Sequence, residues 1–443
     1  MFIRFFPYSA IILLVFFSIF PFKEGKADLI GHGGMVRDIA VSADGSRVLT
    51  ASFDYSLRLW DFGSQQSLKI LDAHSGPVNT SLFLPDGERA LSAGTDGTLL
   101  MWNLNSAKVI RRFKGHTMHV MALALRPNAQ TIASASWDGS VRLWDLNNGA
   151  ERMRLTSPSD VNTLTFGLNG DVLFTGHKDG KVRLWNADNG DFLDEFVGHG
   201  MAVTRLVISN DGSRLLSSGI DGSVRLWFPP DRNTMLTLNG HDGPVYSTAF
   251  GPEGFKALSG GRDGVLKYWD LTTGRSLKRI QAHDGPVWSV AFSPDGRFAL
   301  SSGSDEAVRI WHLETGDRIG PSADEVTMAE SKPWLESDHP GARFFRKCAI
   351  CHALGPEGKR RSGPHLAGLF GRPSGAVPDY NYSNALRSLD ITWTPETVRQ
   401  LFSLGPDKFV PGTKMPIQKV TNPADLDLLI DYLMVITKAD IGG

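Results

Sequence analysis

The sequence predicts an all-β, seven-bladed propeller followed by a separate C-terminal domain. The first observation is a tryptophan that recurs seven times at a spacing of 42 residues, interrupted once by 41. That period lies in the range of four-stranded propeller blades. The second observation is the motif Cys348-Ala-Ile-Cys351-His352, which lies beyond Trp311, where the 42-residue repeat has ended. The chain has 443 residues, which is too long for one compact core, so two or more domains are expected in any case.

The N-terminus has the layout of a secretory signal. Arg4 precedes an apolar run over residues 10–20, and Gly25-Lys26-Ala27 offers a small-residue cleavage site. We therefore expect a signal peptide over residues 1–27 and a periplasmic protein. The alternative is an uncleaved segment that anchors the chain to the inner membrane, because residues 5–22 approach the length of a membrane span.

Charge and composition narrow the function classes. The net charge is −1, so nothing in the overall balance points to a nucleic-acid partner. Two cysteines cannot form a disulfide framework. A membrane partner is expected only if the N-terminal segment remains uncleaved.

The repeats share more than their tryptophans. An aspartate stands six residues before each tryptophan and a hydroxyl residue ten before it. A histidine stands 28 residues before it in six repeats, and the fourth repeat has Ser157 there. The tryptophans are Trp60, Trp102, Trp144, Trp185, Trp227, Trp269 and Trp311; the aspartates are Asp54, Asp96, Asp138, Asp179, Asp221, Asp263 and Asp305; the histidines are His32, His74, His116, His199, His241 and His283.

These residues resemble the WD40 repeat, which implies a seven-bladed WD40 propeller over residues 28–320. In that family histidine, hydroxyl, aspartate and tryptophan form a buried hydrogen-bonded chain in each blade, and such buried polar groups all need partners. Ser157 cannot span the same gap, so we expect blade four to lack part of its network. His177 lies outside the register and is expected at the surface or in a loop. Residues 27–30 are expected to supply the outer strand of the last blade and close the ring.

A different domain begins after the propeller. Residues 321–337 are acidic and contain prolines, which is typical of a linker. His339 to Cys351 then has a helical pattern. The spacing of Cys348, Cys351 and His352 is that of a c-type haem attachment site.

The segment from residue 338 to residue 443 resembles class I cytochromes c of the mitochondrial and alpha-proteobacterial type. The matching runs are Phe345 to His352, Gly363 to Arg372, Ile391 to Trp393 and Val410 to Pro416. The resemblance implies an all-α class I cytochrome c domain with one covalent haem c. Cys348 and Cys351 would form the thioethers, and His352 and Met415 would ligate the iron.

The same resemblance implies the remaining haem contacts. The Pro364 carbonyl would accept the N–H of the ligand histidine and fix its orientation. The side chains expected near the haem propionates are Arg372, Tyr382, Trp393 and Thr413. Two positions depart from the family: Leu386 replaces an asparagine and Phe402 a tyrosine. Both changes make the site less polar, so we expect an altered reduction potential.

The combination predicts an exported electron carrier rather than a catalyst with its own substrate, because both axial positions of the iron would be filled. WD40 propellers bind partners beside their structural aspartates, and four residues there resemble a hot-spot set: Phe53, Trp137, Ile220 and Arg262. The expected partners are redox proteins and a protein docked on the propeller. The alternative is a haem-linked oxidoreductase whose propeller binds a substrate or a second cofactor, an analogy at the level of fold.

Overall fold

The structure is a computed structural model that describes residues 28–229, 233–319, 334, 337–349, 352–356, 363–378, 380, 382–413, 415 and 419–438. The expected signal peptide, most of the expected linker and Cys351 lie outside the described residues. Among the described residues, no helix is both long enough and apolar enough to cross a membrane.

Seven four-stranded antiparallel sheets form the seven blades. The strands of blades one to four are β2 (Val36–Val41), β3 (Arg47–Ser52), β4 (Ser56–Asp61) and β5 (Ser67–Asp72); β6 (Val78–Phe83), β7 (Arg89–Gly94), β8 (Thr98–Asn103) and β9 (Lys108–Lys114); β10 (Val120–Leu125), β11 (Thr131–Ser136), β12 (Ser140–Asp145) and β13 (Glu151–Thr156); and β14 (Val161–Phe166), β15 (Val172–His177), β16 (Val182–Asn186) and β17 (Phe192–Phe196).

Blades five to seven continue the same order. Their strands are β18 (Val203–Ile208), β19 (Leu215–Gly219), β20 (Val224–Phe228) and β21 (Asn233–Leu238); β22 (Val245–Phe250), β23 (Lys256–Gly261), β24 (Val265–Asp270) and β25 (Ser276–Gln281); and β26 (Val287–Phe292), β27 (Phe298–Gly303) and β28 (Ala307–His312), with β1 (Leu29–Ile30) as the outer strand of blade seven.

The ring is closed by its two ends, as the sequence predicts. β1 pairs antiparallel with β28, with Leu29 opposite Val308. Next to this strand the buried Asp28 carboxylate accepts hydrogen bonds from Arg318. Although these arginine contacts favour the charged form, burial dominates and raises the pKa of Asp28. Pairing the ends removes an exposed sheet edge from blade seven.

Six blades contain the expected hydrogen-bonded chain. In blade one His32 Nδ1 donates to Asp54 at 2.8 Å and Nε2 accepts from the Thr50 hydroxyl at 2.7 Å. The same hydroxyl oxygen accepts the Trp60 indole N–H at 2.9 Å. Burial alone would raise the pKa of Asp54, but attraction to His32 and hydrogen bonds from His32, Ser56 and Gly33 lower it to about 2. The network therefore holds a charged carboxylate inside each of these blades.

Blade four corrects the expectation for His177, whereas its network lacks one part, as expected, because Asp179 does not bond the histidine. His177, expected at the surface or in a loop, is fully buried, and its Nε2 lies 2.7 Å from the Thr175 hydroxyl. That hydroxyl accepts the Trp185 indole N–H at 2.8 Å, as in the other blades. His177 Nδ1 lies 3.1 Å from the Ser157 hydroxyl. The histidine missing at position 157 is thus replaced in space by one from β15, and only the aspartate differs, because Asp179 bonds Arg183 instead.

Small residues explain why the two histidines exclude each other. The position of His177 in the repeat is glycine in blades five to seven, and a Cβ on Gly219 would lie 2.5 Å from His199 Nδ1. In these three blades a side chain at the position of His177 would compete for space with the usual histidine. Blade four has Ser157 at the usual position and carries its histidine at position 177.

The innermost strands surround a central channel. Seven residues in the same register of the repeat form one ring in it: Arg37, Asn79, Met121, Asn162, Thr204, Tyr246 and Trp288. One register further along, Arg205 of blade five reaches the buried Asp38 of blade one, with 3.2 Å between the guanidinium and the carboxylate. This ion pair joins two blades that are not neighbours.

The described part of the chain beyond the propeller contains helices. They are α1 (Ala342–Ala349), α2 (Asn384–Arg387), α3 (Pro395–Leu404), α4 (Pro406–Phe409) and α5 (Pro423–Ile436). α1 and α5 cross in contact. Gly341 makes the crossing close, since a Cβ there would lie 2.0 Å from the Leu428 carbonyl oxygen. The rings of Phe345 and Tyr432 pack edge to face beside it, 5.6 Å apart.

Candidate functional site

A largely apolar cavity lies at the centre of the C-terminal region. It is lined by all the expected haem-contacting residues that the structure describes: Cys348, His352, Pro364, Arg372, Tyr382, Trp393, Thr413 and Met415. Leucine and valine side chains complete most of the wall, together with Phe402. The ninth expected residue, Cys351, lies outside the described residues. Side chains that are distant in the sequence therefore meet around one space.

The first wall comes from the end of α1. Cys348 is buried on its last turn, and the His352 N–H continues the helical hydrogen bonding to the Cys348 carbonyl at 2.9 Å. His352 Nδ1 lies 2.7 Å from the Pro364 carbonyl oxygen. Because a carbonyl can only accept, Nδ1 carries the hydrogen and the imidazole lone pair is on Nε2. This orientation is the one that a metal-ligating histidine requires.

The opposite wall comes from α3 and the loop after α4. Thr394 caps α3 in a capping box with Thr397, and Pro395 occupies the first turn, where its missing N–H is not needed. The helix then presents Val398, Leu401 and Phe402 to the cavity. In the loop, the Met415 N–H donates to the Thr413 hydroxyl at 3.2 Å.

A partly buried cation, Arg372, occupies another part of the wall. The Arg372 guanidinium donates to the carbonyls of Ala367 and His365 at 2.8 and 2.9 Å. These acceptors are neutral, and burial lowers the pKa of Arg372. Burial likewise raises the pKa of Tyr382, whose hydroxyl oxygen accepts the Val377 N–H at 3.2 Å. A guanidinium held in this way favours an acidic group inside the cavity.

The donor set fits a haem. An oriented imidazole and a thioether line the same apolar cavity, and a buried thiol stands beside the imidazole. The arginine would offset the propionates, and the apolar wall suits the macrocycle. Among the described residues, no group of three or more His, Cys, Asp or Glu side chains could hold a metal ion.

Tyr55 is a cavity residue that the sequence does not predict. It belongs to the propeller, in the turn between β3 and β4, and lines the same cavity as His352 and Met415. In the sequence Tyr55 stands out by its position, because five blades have glycine at the equivalent residue of the repeat.

A second cavity, of about 340 Å³, lies at the mouth of the propeller channel. The ring of seven residues lines it together with Trp137, Lys178, Arg205 and Ile220, among others. Arg37 lies on the face of Trp288, with its guanidinium carbon 4.4 Å from the ring centroid. Burial lowers the pKa of Arg37 to about 10.

The four expected partner-binding residues are placed differently. Trp137 and Ile220 line this second cavity, and the Trp137 indole N–H donates to Asn162 at 2.9 Å. Phe53 does not line the cavity, but its ring centroid lies 5.9 Å from the guanidinium carbon of Arg37, which does. Arg262 is exposed and does not line the cavity.

A family model described as WD domain, G-beta repeat matches seven segments of the chain: residues 24–61, 65–103, 107–145, 150–186, 190–227, 232–270 and 274–312. These segments correspond to the seven repeats and cover more than half of the sequence.

Similar curated proteins match about a fifth of the chain, in its C-terminal part. A cytochrome c2 from Agrobacterium tumefaciens (strain II Chrys) is 42% identical over 97 residues, which are 21% of this chain and 86% of that protein. A cytochrome c2 from Blastochloris viridis is 40% identical over 93 residues, 21% of this chain and 72% of its own length. A cytochrome c from Cannabis sativa is 40% identical over 94 residues, 21% of this chain and 84% of its own length.

Proposed function

Because the chain belongs to the WD40-repeat family and, through its C-terminal part, to the cytochrome c family, we propose that it is an exported one-electron carrier whose propeller docks other proteins. The region from residue 338 would be an all-α class I cytochrome c domain with a single haem c. The observation that carries this proposal is the convergence of His352, Met415 and Cys348 on one apolar cavity.

In the proposed site Cys348 and Cys351 would hold the haem covalently, and His352 and Met415 would ligate its iron. The bound group would supply a one-electron cycle between Fe(II) and Fe(III). The Pro364 carbonyl fixes the orientation of His352, and Arg372 would offset the propionates. The leucine, valine and phenylalanine side chains of the wall exclude water, which favours the less charged ferrous state.

Haem content tests the cofactor directly. The purified chain, produced with a cytochrome c maturation system, should keep one haem through denaturation and acid extraction, since thioethers do not dissociate. A Cys348→Ala, Cys351→Ala double variant should lose it, and Met434→Ala, at a partly exposed position of α5, should not. A haem that extracts freely from the wild-type chain would contradict covalent attachment. A second chromophore would favour the oxidoreductase alternative.

The docking platform of the propeller would be centred on the second cavity. Three cations line it: Lys178 pairs with Asp160 and Arg205 with Asp38, whereas Arg37 lies on the ring of Trp288. Trp137 and Tyr246 line the same cavity. Aromatic and arginine side chains of this kind dominate binding energy at protein interfaces. We expect a partner that inserts an acidic side chain between the rings.

Affinity capture with matched variants tests the platform. The Trp137→Ala, Ile220→Ala double variant should lose at least tenfold in affinity for any captured partner, as expected for hot-spot residues. Arg275→Ala, at an exposed position just before β25 and outside the cavity, should keep it. Equal loss in both variants, or no loss in either, would contradict the placement.

Export rests on the N-terminal segment, which lies outside the described residues. A signal peptide cleaved after Ala27 would leave Asp28 as the first residue, directly before the strand that closes the ring. N-terminal sequencing of the protein from a periplasmic fraction should therefore begin at Asp28. Recovery from the membrane fraction with Met1 intact would favour the anchored form instead.

A further inference from the structure

The turn that joins the second and third strands of each blade follows one rule with two exceptions. The residue after the structural aspartate is glycine in five blades, with φ between 71° and 83°. Blade one has Tyr55 there with φ 69°, and blade seven has Glu306 with φ 67°. L side chains other than those of asparagine and aspartate rarely adopt this conformation, and a bulky ring is the least suited to it. The turn of blade one therefore retains a tyrosine against its backbone preference.

The two exceptions differ in their surroundings. Tyr55 is only 8% exposed although it lies in a turn. It lines the haem cavity together with Cys348, His352 and Met415, which belong to the other region of the chain. Glu306 is partly exposed and does not line that cavity. The strained position is thus linked to the haem cavity in blade one and not in blade seven.

The same turn also borders the cavity of the propeller channel. Phe53, two residues before Tyr55, has its ring 5.9 Å from the guanidinium carbon of Arg37, a residue that lines the channel mouth. Residues 53–55 therefore lie between the proposed docking platform and the haem cavity.

From these contacts we propose that the blade-one turn is the surface on which the C-terminal region docks within the same chain, with Tyr55 covering the mouth of the haem cavity. The inference rests on the proposed function only in taking that cavity as the haem site. The tyrosine ring excludes water from the mouth, and a partner on the channel cavity binds next to the covered edge. The occupant of this surface is the part of this chain whose described residues, among them His352 and Met415, line the cavity with Tyr55.

Hydrogen exchange on the full-length protein tests the contact without relying on redox activity. Tyr55→Gly restores the residue of the other blades and should leave the propeller folded. It should speed exchange in peptides covering residues 53–56 and 382–413. Glu306→Gly releases the same kind of strain in blade seven and should leave the second peptide unchanged. Tyr55→Phe keeps the ring and should behave like the wild type.

A redox titration of the same variants provides the second readout. Water at the cavity mouth stabilises the ferric charge, so Tyr55→Gly should lower the midpoint potential, while Glu306→Gly leaves it unchanged. If Tyr55→Gly matches Glu306→Gly in the exchange of residues 382–413, the docking surface is wrong. A chain that binds no haem would refute the proposed function, and the exchange comparison would still decide whether this contact exists.

Discussion

The propeller and the C-terminal region satisfy their buried polar groups in opposite ways. In the propeller the histidine, hydroxyl and indole of each structural network bond one another within one repeat, as His32, Thr50 and Trp60 do. In the C-terminal region the partly buried guanidinium of Arg372 bonds neutral carbonyls at the wall of an apolar cavity. From this difference we expect the propeller to be stable by its own contacts, and the C-terminal region to need the proposed haem to complete its core.

Loss of the haem should separate the two regions most strongly. We expect the Cys348→Ala, Cys351→Ala double variant to lose the cooperative unfolding of the C-terminal region, because the ligand that fills its cavity is gone. The temperature at which the propeller unfolds should not change, since both cysteines lie outside the seven blades. Thermal unfolding followed by calorimetry and by tryptophan fluorescence measures both. A shift of the propeller transition of equal size would show that the regions unfold as one unit.

The hydrogen-bonded network of a single blade can be tested at His177 of blade four. His177→Gly should destabilise the propeller by roughly 4 kcal/mol, because it empties the space of an imidazole and leaves the Thr175 hydroxyl without its ring partner. Urea unfolding measures the loss. The double variant Ser157→His, His177→Gly rebuilds the arrangement of the other blades and should recover most of it. If the second substitution recovers nothing, the two positions do not share one space.

Acid should weaken the propeller through its histidines. Burial lowers the pKa of His177 to about 4, and Arg183 shifts it in the same direction. The unfolded chain, with a histidine pKa near 6.5, therefore binds more protons than the folded one between these values. Stability that is fully present above pH ~6.5 should fall as the pH drops towards 4, by up to about 3 kcal/mol for this residue. Urea midpoints across this range test the window, and His177→Gln should flatten the slope.

The smallest expected effect lies at the haem itself. Phe402 is buried in the cavity wall, at the position where the resemblance to class I cytochromes c implies a tyrosine. A hydroxyl in Phe402→Tyr that donates to the Met415 sulfur would draw electron density from it and raise the midpoint potential. A hydrogen bond of about 1 kcal/mol corresponds to about 40 mV for one electron. Phe402→Leu, which adds no donor, is the control, and an unchanged potential in Phe402→Tyr would contradict the role of this position.

The sequence predicts the propeller well because its register repeats a physical requirement seven times. A buried indole, hydroxyl, imidazole and carboxylate need one another, so their fixed spacing reveals the blade and also the closing strand at Leu29. This reasoning does not predict the role of His177, because this histidine bonds the Thr175 hydroxyl from a different position in the repeat. Spacing along one chain does not show that two positions share a space.

In the C-terminal region the resemblance to known cytochromes anticipates the residues that line the cavity, among them Arg372 and Trp393, although their bonds to a haem stay a prediction. The sequence does not predict the role of Tyr55, since a contact between two regions of the chain does not recur from repeat to repeat. Its signal is a missing glycine at one turn. The ring of channel residues, such as Arg37 and Trp288, stands at a fixed distance before each tryptophan, but without the fold nothing marks that position as the channel.

The central claim is that one haem with histidine and methionine ligands makes this chain an electron carrier. A spectroelectrochemical titration of the full-length protein tests it most directly. We predict a single reversible one-electron transition, a markedly lower potential in Met415→Ala because the thioether favours Fe(II), and no change in Met434→Ala. A potential and spectrum that Met415→Ala leaves unchanged would contradict the assigned ligand, and the absence of a reversible couple in the wild type would contradict the account as a whole.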